Sequence, residues 1–241
     1  MAINFLQIKL LRGALLVFLL LLTACIPTQP FPTGIIAAQP VPTPAARPPI
    51  VGQEWVYNVR NVFNQELVDV VTERVVTVGE QIRIQRSGAK AGALPDEVQS
   101  PWGYVLQEPH WNPAQQFVNP IPVWPLQLTV GWNQFYKTGY RVLGYPDGTY
   151  YWGVDMKALQ WEQVQAPAGD FLTLHYHNAI PYFASQDIFR AGNARDEDVW
   201  FSPEIGRWVF RRTSGRYITN GVSWSDAYWE DFLQWELVSW K

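Results

Sequence analysis

The chain has 241 residues, 13 tryptophans, a single cysteine and a formal net charge of −3. One cysteine excludes an internal disulfide, so the fold must be held by its core alone. A mildly acidic balance with no basic run excludes the clustered phosphate contacts of a nucleic-acid binder.

Lys9 and Arg12 precede nine uncharged apolar residues, Ala14 to Leu22, followed by Thr23-Ala24-Cys25. That is the order of an export signal: a charged region, an apolar region and a small-residue cleavage site, expected as a signal helix over residues 1–24. Nine apolar residues fall far short of the roughly 18 needed for a permanent membrane span. Leu22-Thr23-Ala24-Cys25 resembles the lipobox of bacterial lipoproteins, whose cysteine thiol receives a diacylglyceryl group before cleavage makes it the new N-terminus. The resemblance implies lipidation of Cys25 by palmitate-type chains and a membrane as the first partner. Ile26 in place of an aspartate resembles lipoproteins passed on to the outer membrane. Loss of Lys9 and Arg12 from the 18 basic residues leaves 16 against 21 acidic ones, a formal charge of −5.

Residues 25–51 form the next region. Ile26 to Pro49 contains eight prolines and almost no charge. Such a segment favours extended polyproline conformations at ~3.1 Å per residue, and is expected to be a semi-rigid tether.

At Gly52 the composition changes and a β domain is expected over residues 52–241. Trp55, Tyr57 and Val59 alternate with Glu54, Asn58 and Arg60, the period-two pattern of a half-buried strand. Val68, Val70, Val76 and Val78 share one face of the next run, and Ile82 and Ile84 one face of the run after it. Val78 to Gln81 is short enough for a hairpin. Between Pro95 and Pro125, seven prolines accompany Trp102, Trp111 and Trp124. Proline donates nothing to a ladder, so this part is expected as a long loop, edge strand or wrap over the sheet. Strands follow at Trp132–Tyr136, Tyr140–Leu143, Tyr150–Val154, Leu159–Gln165, Phe171–Asn178, Val199–Ser202, Arg207–Thr213 and Phe232–Trp240. Turns fall at Tyr145-Pro146-Asp147-Gly148, Ala166-Pro167-Ala168-Gly169 and Pro203-Glu204-Ile205-Gly206. Short connections favour antiparallel neighbours, and many strands seldom stay flat. The expectation is an all-β domain, one strongly curved antiparallel sheet forming a half-barrel or partly closed barrel.

Pro125-Leu126, Val130-Gly131-Trp132, Val164 through Pro167-Ala168-Gly169 to Phe171, Phe201-Ser202-Pro203-Glu204-Ile205-Gly206 and Trp235-Glu236-Leu237-Val238-Ser239 resemble a recurring set of motifs. The set is similar to that of a class of bacterial envelope lipoproteins with no assigned activity, over about residues 52–241. The resemblance implies a curved antiparallel sheet, similar in outline to the half-barrels of lipoprotein carrier and acceptor proteins. The motifs also have a purely structural reading. Pro167, Gly169, Pro203 and Gly206 supply turn dihedrals while Phe171, Phe201 and Trp208 fill the core beside them.

Chemistry is sparse. His175 and His177 share one strand face, but a closed zinc site needs about four ligands and no partner set completes this pair. His110 is read as a loop residue. Asp196, Glu197 and Asp198 are read as solvated charges in a loop flanked by Arg195, and Arg207, Arg211, Arg212 and Arg216 as a solvated sheet face. Gly221-Val222-Ser223-Trp224-Ser225 lacks the second glycine of a serine nucleophile elbow. No phosphate-cradling glycine loop or cofactor motif is present. The expectation is a lipid-anchored, non-catalytic envelope protein that binds an apolar ligand, such as a lipid or lipoprotein acyl chain, or acts in envelope assembly. Two alternatives stand beside it: a surface module that recognises envelope glycan or a protein partner by stacking on Trp102, Trp111 and Trp124, and a hydrolase. A lined hollow of ~300 Å³ or more would favour the apolar ligand.

Overall fold

The computed structural model describes residues 34–111, 113–182, 191–218, 228–229 and 232–241. The signal helix expected over 1–24 and Cys25 lie outside these residues, as do Ser223 and its neighbours. Among the described residues no helix is long and apolar enough to cross a membrane.

Fourteen strands follow in chain order: β1 (Ile35–Ala37), β2 (Glu54–Asn61), β3 (Leu67–Thr77), β4 (Ile82–Gly88), β5 (Gly92–Gln99), β6 (Tyr104–Glu108), β7 (Gln115–Pro122), β8 (Asn133–Val142), β9 (Tyr145–Ala166), β10 (Gly169–Tyr182), β11 (Ala191–Ser202), β12 (Arg207–Ile218), β13 (Tyr228–Trp229) and β14 (Leu233–Trp240). From β2 to β12 each strand pairs antiparallel with the next, β12 pairs β14, and β14 pairs β2. The half-barrel expectation is therefore corrected: twelve strands, β2 to β12 with β14, form a closed up-and-down barrel. Closure removes the open edges that a curved sheet would leave exposed.

The proline-rich stretch is also corrected. It supplies β5, β6 and β7 to the barrel wall, and Pro95, Pro120 and Pro122 fall within strands that register shifts interrupt. The reversal expected at Tyr145–Gly148 sits instead at Leu143–Gly144, where Gly144 has φ +84°, so β8 and β9 run longer than their sequence pattern indicates. The turns at 166–169 and 203–206 are where the sequence puts them.

All reversals fall at two ends. Residues 78–81, 100–103, 123–132, 167–168 and 203–206 lie at one end together with Lys241, and 62–66, 89–91, 109–114 and 143–144 at the other. Residues 34–51, expected as part of the tether, pack along the first end as a strap. Ile35–Ala37 pairs with Trp161–Gln163. The Gln39 side chain accepts from Val130 N, Arg47 N donates to the Pro203 carbonyl, and the Trp102 indole donates to the Arg47 carbonyl at 3.0 Å. Gly206, at φ +63°, leaves room for that carbonyl, because a Cβ there would stand 2.5 Å from it.

Outward-facing Arg60, Arg74, Arg83, Lys137 and Asp155 charge the barrel wall. A membrane-spanning barrel carries an apolar band ~25 Å tall in that position. Eight strands enclose an interior that ordinary side chains just fill, and the bore widens as strands are added. Here large residues take up the extra width. Trp55, Tyr57, Tyr140, Trp161, Tyr176, Arg195 and Arg207 are all buried.

Candidate functional site

Strand parity selects what enters the bore. Trp55, Tyr57 and Val59 face inward as their alternation indicates, but on β3 the inward set is Asp69, Val71, Glu73 and Val75, and the valines Val68, Val76 and Val78 face out. Glu73 is fully buried. Arg207 on β12 reaches it with Nη2 at 2.6 Å and spans to Glu97 on β5, with Nη1 and Nη2 at 2.8 and 2.6 Å. Arg86 on β4 donates to the other Glu73 oxygen at 3.0 Å. His110 sits between Glu73, at 3.0 Å, and Glu108 on β6, at 2.5 Å. The Arg207 guanidinium also lies 3.7 Å from the Trp208 ring centroid.

A second group lies deeper toward β11. Glu197 Oε1 accepts from Arg195 at 2.8 Å and from Arg211 at 2.9 Å, and Arg195 stacks 4.1 Å over Trp111. Glu73, Glu97, Glu108 and Glu197 thus share the bore with Arg86, Arg195, Arg207 and Arg211, each charge facing an opposite one, while Asp69 accepts from the backbone N–H groups of Val70, Lys90 and Ala91. Burial alone would raise the Glu73 carboxyl, yet Arg207, with His110 and Arg86, holds it well below the usual range. Glu108 is depressed in the same way against its burial by His110 and Arg211, and Glu197 by Arg211 and Arg195. Tyr57 and Tyr176 are raised, first by burial.

The space left over is small. A cavity of about 50 Å³ is lined by Glu108, Trp111, Tyr176, Asn178, Glu197, Trp208 and Arg211 among others. Asn178 Oδ1 and Trp208 Nε1, both buried, have no protein partner. One acceptor and one donor on a polar cavity of this size suit ordered water, which needs only ~10–15 Å³ of accessible volume. This cavity is too small for an acyl chain, since ligand sites run to ~300 Å³ or more.

The outer face of β9 to β11 carries a second polar cluster. His175 Nδ1 meets Glu162 at 3.0 Å and its Nε2 meets Asp198 at 3.1 Å. His177 meets the same Asp198 oxygen at 3.2 Å through Nδ1, and Asp196 at 3.4 Å through Nε2. The His175 ring stacks on Trp200 at 4.2 Å, and the Trp200 indole donates to Glu162. Burial would lower the His175 pKa, but the hydrogen bonds and charges of Asp198 and Glu162 raise it. His177 is raised chiefly by its bond to Asp198, and Asp198 is depressed against burial by the two imidazoles. Both nitrogens of each ring face carboxylates, so neither ring presents a free base to a hydroxyl. Among the described residues no group of three or more His, Cys, Asp or Glu is placed to hold a metal ion.

The three tryptophans singled out by sequence are not brought to one surface. Trp111 lines the cavity, with Arg195 across its face. Trp124 is buried and stacks on Phe201 with centroids 4.5 Å apart. Trp102 is half-buried, edge-on to Trp124, its N–H committed to the strap. Rings that stack on a glycan need faces open to solvent; Arg195 covers a face of Trp111 and Phe201 a face of Trp124, whereas Trp102 stays half-exposed.

The chain is similar to a protein of Parabacteroides distasonis ATCC 8503 described as a lipoprotein, at 13% identity and TM-score 0.53, over 80% of this chain and 97% of that one. It is also similar to an exported protein of Bacteroides fragilis NCTC 9343 described as having a YmcC-like fold, at 12% identity and TM-score 0.51, over 82% and 99%. The chain shares their fold. No family model and no curated protein matches its sequence.

Several functional residues escape the sequence reading. Glu197, Arg207, Arg211 and Arg212 are read there as solvated, and the structure buries all four, together with Arg195. His110, read as a loop residue, bridges two buried carboxylates. Asp196 and Asp198 lie on a strand, not in a loop. The usable signal was phase: Glu73 alternates in step with Val71 and Val75, Glu197 with Val199, and Arg207 and Arg211 with Val209.

Proposed function

We propose that this chain is a lipid-anchored, non-catalytic protein of the bacterial cell envelope that takes part in envelope assembly through the outside of a solid barrel. The observation that carries the reading is the filled bore. The cavity of about 50 Å³ found there among the described residues is bordered by Glu108, Glu197 and Arg211, which disfavours the alternative of an apolar ligand held within it. The export pattern and the lipobox-like Leu22–Cys25 support anchoring at Cys25, and Ile26 supports the outer membrane as its destination. Two solved proteins that share the fold, one described as a lipoprotein and one as exported, support an envelope location. In this reading nine peptide links join Cys25 to the strap at Gly34. At ~3.3–3.6 Å each they span at most about 32 Å, which keeps the barrel beside the bilayer and its partners at high effective concentration.

The test is fractionation of cells expressing the wild type and Cys25→Ser, combined with mass spectrometry of organic extracts from the purified protein. The wild type should stay with membranes through salt and carbonate washing, the variant should leave them, and extracts should hold no lipid beyond the covalent anchor. A variant that remains bound would refute the anchor, and a stoichiometric co-purified lipid would refute the solid barrel.

A further inference from the structure

Exposed apolar side chains are unevenly distributed over the barrel. Of the sixteen large hydrophobics that stand exposed among the described residues, eight lie at the strap end, six are spread over four wall strands and two lie at the other end. Val41 is 94% exposed, Ile35 76%, Ile36 71%, Val51 65%, Ile50 54% and Val78 44%. Backbone bonds hold two parts of this set together. Gly52 N donates to the Val75 carbonyl and Val75 N to the Gln53 carbonyl, which seats Ile50 and Val51 against the end of β3 that leads to Val78. Trp102 and Trp240 lie half-buried at the same end, and amphipathic indoles favour the level of lipid headgroups. The barrel wall between the ends carries Arg60, Arg74, Arg83, Lys137 and Asp155 among scattered exposed apolar residues such as Val68 and Val118.

Exposed hydrophobics scattered along the wall need no explanation, but a set of eight gathered at one end marks a contact surface. What it contacts follows from where the chain goes. The strap is the part of the barrel nearest in sequence to Cys25, with nine links between them. We infer that the strap end is a bilayer-facing surface, seated in the interfacial layer of the membrane that holds the lipid anchor. The inference rests on the anchoring proposed above and adds an orientation: the barrel stands on the membrane by this end, with the 62–66, 89–91 and 109–114 connections turned away. Apolar side chains of such peripheral surfaces enter ~5–10 Å into the headgroup and acyl boundary.

The experiment uses the full lipidated chain reconstituted in vesicles of phosphatidylethanolamine and phosphatidylglycerol. Cys25 is the only cysteine, and acylation consumes its thiol, so one introduced cysteine takes a nitroxide label at a chosen site. Ile36→Cys, Val51→Cys and Val78→Cys report on the strap end, and Phe63→Cys, at an exposed position of the opposite end, serves as reference. The ratio of collisions with a polar nickel chelate to those with oxygen should fall at least threefold for the three strap-end labels on vesicle binding and stay unchanged for the reference. Protein that fails to float with the vesicles overturns the anchor and this inference together. Floating protein whose strap-end labels remain as aqueous as the reference overturns the inference alone. Shielding that appears without vesicles and grows with protein concentration also overturns it, in favour of contact between copies of the chain.

Discussion

Arg207→Met is the sharpest probe of the charged bore. The substitution keeps an unbranched apolar stem beside Trp208 and Trp55 but removes every contact to Glu73 and Glu97. Glu73 keeps Arg86 and His110, whereas Glu97 keeps only the amide of Gln99. Removing one partner of a buried ion pair costs about 3–5 kcal/mol, because the charge left behind has lost both water and counter-charge. A domain of this size loses ~2–4 °C per kcal/mol, so melting should fall by ~6–20 °C. Urea unfolding at pH 7 measures the deficit directly. The pH dependence adds a sign. In the wild type Glu73 is depressed, so its contribution is present above the unfolded carboxylate value of ~4.3 and is lost as pH falls through the lower folded value. In the variant an unpaired buried carboxylate titrates upward instead, so acid neutralises the defect. The deficit should therefore shrink between pH 7 and pH 4.5. Adding Glu97→Gln to Arg207→Met should recover part of it, with a coupling of ~0.5–3 kcal/mol. A deficit under about 1 kcal/mol, or one that does not change with pH, would refute the claim that paired burial holds the bore together.

Three other outcomes are expected. Trp111→Ala strips the ring beneath Arg195 and enlarges the cavity, and should cost about 3–5 kcal/mol in urea unfolding. His175 and His177 are raised above their unfolded value of ~6.5, so the native state binds more protons; their stabilisation is complete below pH 6.5 and disappears as pH rises through the folded values. Calorimetry of the wild type should show melting decline over that upper range, and the double variant His175→Gln with His177→Gln should lose the decline. Gly206→Ala drives a Cβ against the Arg47 carbonyl at a positive φ, which should loosen the strap and raise the rate of proteolytic cutting within residues 38–50 at least tenfold.

Local pattern revealed the strands and most turns, because alternation and turn chemistry act over a few residues. It placed Trp55 and Tyr57 inside, and His175 and His177 together on the face opposite Leu174 and Tyr176. Closure was hidden, since it depends on β14 finding β2 across most of the chain, and no short motif encodes that pairing. The wall strands around Pro101 and Pro109 were hidden for a related reason: proline argues against a ladder, but β5, β6 and β7 are short and their register shifts accommodate it. The buried charges were misjudged because a lone Arg or Glu is costly inside, and only the assembled fold supplies its counter-ion. The strap was missed because proline-rich composition describes an unattached chain and says nothing of a carbonyl that Trp102 will hold.

The seam between the first and last wall strands, where Glu54 and Lys241 exchange backbone bonds at 3.0 Å, has a consequence for biogenesis. Every other pairing in the ring joins strands that are near in sequence, but this one waits until β14 has been made. Until then the chain is a growing ribbon with two unsatisfied margins, vulnerable to pairing with any other extended segment nearby. Loss of β14 should therefore be felt in folding yield more than in any local contact, since it leaves the ring unable to zip shut.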